Sequence, residues 1–143
     1  MKEWYRKYII GKGKETFLSA FIGFTISVGV SRLIALDIEK GKAIFGYLYI
    51  KGYHIHHFYY GILLLILSNW MSLIRHRKLH RRLFKGVNSI MFGGGLGLLV
   101  DEFGLLLTME FGLKGNYWAP QSYYAIAVAT SIFALFLLFL RAD

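Results

Sequence analysis

Val87–Thr108 reads VNSIMFGGGLGLLVDEFGLLLT, an apolar stretch of 22 residues whose only charges are Asp101 and Glu102. A helix needs about 20 such residues to cross the hydrocarbon of a bilayer. Three other stretches share this character. Phe17–Leu36 is interrupted only by Arg32, His57–Ile74 is rich in Leu and Ile beyond Gly61, and Ser122–Leu140 carries no charge. All four are apolar around their whole circumference, as suits helices surrounded by lipid. The chain is 56% hydrophobic and 17% charged over 143 residues, against roughly a quarter charged in ordinary globular chains. A soluble chain of this length has too little interior to hide so much apolar surface. The expectation is an all-α polytopic membrane protein: a four-transmembrane-helix bundle forming a single domain over residues 1–143.

The cations set its orientation. Lys2, Arg6, Lys7, Lys12 and Lys14 precede the first span, Arg75, Arg77, Lys78, Arg81, Arg82 and Lys85 follow the second, and Arg141 follows the fourth. The opposite side holds only Lys40, Lys42, Lys51 and Lys114. By the positive-inside rule this twelve-to-four bias predicts a multi-pass protein of the plasma membrane with both termini cytoplasmic. Met1–Lys14 followed by an apolar run resembles a signal peptide. The run is too long for one and has no small-residue cleavage site, so a retained first helix is expected. The net charge of +9 then belongs to topology and to anionic lipid headgroups at Arg75–Lys85, with His76 and His80 beside them, rather than to nucleic acid. A homo-oligomer is compatible with the pattern. The chain has no cysteine, which removes disulfides, thiolate metal sites and Cys nucleophiles.

Between the first two spans, Asp37–Tyr53 lies outside the membrane. Its segment Ala43–Ile50 (AIFGYLYI) is rich in β-formers and precedes Lys51-Gly52. It reads either as a short hairpin or as a re-entrant piece. The aromatics around it, Tyr47, Tyr49, Tyr53, Phe58, Tyr59 and Tyr60, suit an interfacial belt, as do Trp4, Trp70 and Trp118.

Three features carry chemistry. Asp101 and Glu102 lie within a span, where an acid is costly unless paired, protonated or metal-bound. Neighbours on a helix point about 100° apart, so at most one of them should face a given partner squarely. Arg32 lies at a similar depth in the first span, and an Arg–carboxylate charge pair is the plain structural explanation for one acid. His54, His56 and His57 cluster at the start of the second span. His54 and His57 share a face if helical, and His54 and His56 if extended. With Asp101 and Glu102 they form a candidate site for a divalent metal such as Zn²⁺, Fe²⁺ or Mn²⁺, although no HExxH spacing is present. The plain alternative is interfacial histidines bonded to headgroups and water. Asp101 sits about 10 Å inside Thr108 at 1.5 Å per residue, whereas His57 opens its span, so only a tilted helix or an infolded loop brings them level. Gly93-Gly94-Gly95-Leu96-Gly97 lacks the strand and soluble helix of a nucleotide fingerprint, so no nucleotide cofactor is expected. Gly93-xxx-Gly97 reads instead as a close helix crossing, against Gly23 or Gly29.

His56–Gly61 (HHFYYG), Gly95–Leu107 (GLGLLVDEFGLLL), Tyr117-Trp118 and Ser122 together resemble a family of small uncharacterised prokaryotic integral membrane proteins. Those carry HHFxxG, GxGxxxDEF and YW…S segments. The resemblance covers residues 53–125. Where some members have an alanine after DEF, Gly104 stands here. It implies one shared site built from the His pair, the acid pair and the YW loop, and implies no activity.

Three functional expectations follow. The first is a His/carboxylate site near the outer face, binding a divalent metal and acting on a lipid or lipophilic substrate, with Asp101 and Glu102 as candidate proton shuttles. The second is a proton- or cation-coupled transporter or channel subunit. The third is a structural accessory subunit in which Arg32 and Asp101 lock helices together.

Overall fold

The computed structural model describes residues 3, 6, 8–10, 14–42, 49–51, 53–74, 81–109 and 115–139, with 49, 50, 53, 54, 81 and 82 described by backbone alone. The loop 75–80 with His76 and His80, as well as Tyr47, Glu110 and Lys114, lie outside the described residues. The elements are α1 (Glu15–Glu39), β1 (Tyr49–Ile50), β2 (Tyr53–His54), α2 (His57–Leu73), α3 (Arg81–Asp101), α4 (Phe103–Thr108) and α5 (Pro120–Phe139). This is an all-helical bundle of a membrane protein. Glu15–Glu39, Leu83–Thr108 and Pro120–Phe139 are each long and apolar enough to cross a bilayer, and α2 is an apolar helix of 17 residues. Helices occupy all four stretches expected to be apolar spans, with α3 beginning at Arg81, ahead of the expected Val87.

Between α1 and α2 the chain forms a hairpin. Tyr49 pairs with His54 and Ile50 with Tyr53 in an antiparallel ladder. Lys51 takes a left-handed φ of 51° at the turn.

The central helix is α3. It packs closely on α1 and α2, while α5 lies more lightly against α3, α4 and α1. Small residues permit the two close crossings. A methyl group on Gly93 would collide with the Ala20 carbonyl, and one on Gly23 with the Ile90 carbonyl. One on Gly97 would lie 2.8 Å from the Phe24 carbonyl oxygen. On the other flank, a carbon on Gly61 would lie 2.7 Å from the Gly95 carbonyl oxygen. Such contacts bring backbones together where lipid offers no hydrophobic drive for association. Gly23 thus joins the expected crossing, whereas Gly29 has nothing within 4 Å. Six residues at about 100° each turn Gly29 roughly 240° around α1 from Gly23, away from α3.

A small aromatic core joins α5 to α1. Phe24 is 2% exposed, and its ring lies 5.4 Å from that of Phe133. Phe17 and Phe136 meet edge to face at 5.5 Å. At the end of the same seam the Lys14 ammonium donates to the carbonyls of Leu137 and, at 3.2 Å, Leu138. A cation there complements the carbonyl-rich end of α5.

Candidate functional site

The site forms where α1, α2, α3 and the loop before α5 meet. The antiparallel register of α2 on α3 positions it. Asn88 Nδ2 donates to Ser72 Oγ at one end of this pair, and His57 reaches Asp101 at the other. Helix α2 is short, so it starts level with Asp101, well below the end of α4 at Thr108. The loop closes the rest of the gap by folding inward. The Asn116 backbone N–H donates to Thr108 Oγ1 at 2.8 Å, which seats the turn that lowers Tyr117 into the bundle.

Asp101 has no exposed surface. Arg32 Nε donates to its Oδ1 at 2.5 Å, and Arg32 Nη2 donates to its backbone carbonyl at 3.2 Å. Its Oδ2 faces His57 Nε2 at 3.0 Å and accepts from the Tyr117 hydroxyl. Burial, and then the hydrogen bond to Asp101, push the Tyr117 phenol well above its usual range, so it is a persistent donor. The Arg32 guanidinium is also covered by aromatic rings, 4.6 Å from the centroid of Tyr123, 4.9 Å from Tyr117 and 5.1 Å from Trp118. Arg is suited to this position, because it can bond a carboxylate in its plane while stacking on rings.

Glu102 is 3% exposed. Its Oε1 lies 3.1 Å from His56 Nδ1 and 3.3 Å from His57 Nδ1, and its Oε2 accepts from the Phe58 backbone N–H at 2.9 Å. That amide belongs to the first turn of α2, where a helix leaves donors unsatisfied and favours an anion. Helix periodicity lets at most one of the adjacent acids face a given partner squarely, yet both touch His57. The reason is local. The backbone leaves helical geometry at Glu102 (φ −93°, ψ 9°), between α3 and α4, which turns the second carboxylate toward the same helix start as the first.

Of the sequence candidates, Arg32, His56, His57, Asp101 and Glu102 therefore converge. His54 lies in β2 opposite Tyr49, and its side chain is outside the description. Tyr117 and Trp118 complete the site, and Ser122 supports it, its Oγ accepting from the buried Gly104 N–H at 2.8 Å. A carbon on Gly104 would lie 2.8 Å from the Ser122 nitrogen, so this turn has no room for a side chain. Among the described residues, no three His, Asp or Glu side chains are arranged to hold a metal ion. The carboxylate oxygens are turned to a guanidinium, a phenol, a backbone amide and imidazoles instead.

Proton accounting is the notable chemistry. A neutral imidazole has one N–H and an imidazolium two. His57 meets a carboxylate oxygen at each ring nitrogen. A neutral ring can offer its one N–H to only one of these oxygens, whereas a cationic ring offers one to each.

Scans against protein-family models, curated proteins and solved structures give no match to this chain.

Proposed function

We propose that this four-span protein, with both termini in the cytoplasm, uses its His/carboxylate cluster near the outer membrane face for acid–base chemistry on the polar end of an amphiphilic substrate. The observation that carries this reading is the bridging position of His57 between two buried carboxylates. The acids are 0% and 4% exposed in their side chains, whereas His57 is 26% and His56 18% exposed. The rings are therefore the members of the cluster that a molecule at the interface can reach. A buried carboxylate behind an imidazole fixes its orientation and stabilises its cation, which suits the ring to exchange protons. Tyr117 holds Asp101 in place and Arg32 balances its charge. A divalent ion, the alternative occupant, would have to displace Arg32 and Tyr117 from Asp101. A transport path has less support, because residues 86–100 of α3 and 58–74 of α2 contain no Asp, Glu, His, Lys or Arg to continue a relay.

The test is reconstitution into liposomes of defined lipid panels, with mass spectrometry of the lipids before and after incubation. Wild type should convert one amphiphile class, and His57→Gln should lose that conversion while keeping its helical circular dichroism. Unchanged lipid spectra across the panel with folded wild type would reject the proposal. One observation favours a second reading, a structural lock: each of the four carboxylate oxygens already has a partner. Under that reading His57→Gln lowers the melting temperature and no conversion exists to lose.

A further inference from the structure

Away from the charged cluster, α2 and α5 both lie on α3 but do not close over it. Between them runs a groove of about 1300 Å³, floored by Phe92, Leu96 and Val100 and walled by Leu65, Val128 and Ile132. It follows α3 from Asn88 on to Phe103 at the start of α4, about 22 Å at 1.5 Å per residue. One leaflet contributes roughly half of a 30 Å hydrocarbon core, so the groove is long enough for a whole acyl chain. Its two ends differ. At the α3 start, Ser68, Ser72, Asn88 and Ser89 line it, and the Asn88 Oδ1 atom is buried with no hydrogen-bond partner. An unpaired buried carboxamide atom is costly in an apolar setting. Asn88 Nδ2 gives one N–H to Ser72 Oγ, whose own proton goes to the Ser68 carbonyl, and its second N–H is left for a ligand in the groove. Arg81, Arg82 and Lys85 lie on the two turns of α3 just before Asn88, and Lys85 is exposed.

We infer that this groove is a binding site for one anionic diacyl phospholipid. One tail lies between α2 and α5, an ester carbonyl accepts from the Asn88 amide, and the phosphate sits at the basic start of α3. The three parts match the lipid in order: cations for the headgroup, a lone amide at the depth of the ester, then an apolar channel. Charge complementarity selects an anionic head, and the half-satisfied Asn88 amide distinguishes a built site from ordinary lipid contact. The inference is independent of the acid–base proposal, because Asp101, Glu102, His56 and His57 do not line the groove.

Native mass spectrometry of the full chain, delipidated in detergent and offered phosphatidylglycerol or phosphatidylcholine with identical tails, tests it. Wild type should retain one phosphatidylglycerol, at least about fivefold more than phosphatidylcholine, a preference of about 1 kcal/mol or more. Val128→Trp fills the groove from an exposed position and should abolish the adduct. Asn88→Ala and Lys85→Gln should each weaken it. Leu135→Trp, exposed but outside the groove, should leave it intact. Equal retention of both lipids, or equal retention by the Val128 and Leu135 variants, would overturn the inference and leave ordinary boundary lipid. Should Val128→Trp fail to fold, an undiminished adduct in both Asn88→Ala and Lys85→Gln overturns it equally.

Discussion

Asp101 illustrates how a single acid can organise the end of a bundle. Removing it strands a guanidinium, an imidazole and a phenol in an apolar setting. Breaking a buried ion pair in this way costs about 3–5 kcal/mol. Asp101→Ala should therefore melt far below wild type in detergent, and an unchanged melting temperature would refute the pairing. Tyr117 makes a different prediction. Its folded pKa lies above the ordinary value of 10.0, so above pH 10 the unfolded chain releases this proton while the native state keeps it. The native state then binds more protons, and stability falls as pH rises. Comparing chemical denaturation at pH 9 and pH 11, wild type should lose more stability than Tyr117→Phe; equal losses would show that the phenol is not held as described. The sequence announced Asp101, Glu102 and Arg32 because a charge inside an apolar run has to be explained. It could not announce which imidazole meets which acid, since that depends on the break at Glu102. Nor could it place Tyr117, whose depth is set by an inward loop with no periodicity to read.

At the level of elements, glycines govern where helices meet. Gly93 abuts backbone rather than a side-chain tip, so α1 cannot yield locally. Gly93→Val should separate α1 from α3, abolishing the folded detergent-soluble form or lowering its melting temperature sharply. Gly29 offers the contrast, since it faces open space in mid-helix. Gly29→Ala should be neutral or stabilising by about 0.5–1 kcal/mol through helix propensity. A similar loss in both variants would mean that the crossing lies elsewhere. The helices themselves were legible because length and unbroken apolarity define them. Their partners were not: a helix apolar on every side carries no stripe to say which face turns inward. That is why Gly23 and Gly29 looked equivalent until the rotation of α1 separated them.

For the whole molecule, lipid is the solvent of the outer surface. Leu33, Leu73 and Leu138 are 64%, 77% and 69% exposed, which water would not tolerate in a patch this extensive. The absence of cysteine makes the proposed topology easy to probe with single introduced thiols. In intact cells, Asn116→Cys should react with a membrane-impermeant maleimide, whereas Lys2→Cys should react only after permeabilisation. Labelling of Lys2→Cys before permeabilisation would overturn the proposed orientation. The Lys/Arg bias carries the orientation proposal by itself, but the central place of α3 and the open side between α2 and α5 were not legible in the sequence, because both arise from how the helices pack.

The contact between Lys14 and the final turn of α5 has a temporal side. A ribosome delivers α1 before α5, so this clasp can shut only once Leu137 and Leu138 have emerged. It fastens the earliest-made of the described helices to the latest-made, so the seam between α1 and α5 closes after α1, α2 and α3 have been able to meet.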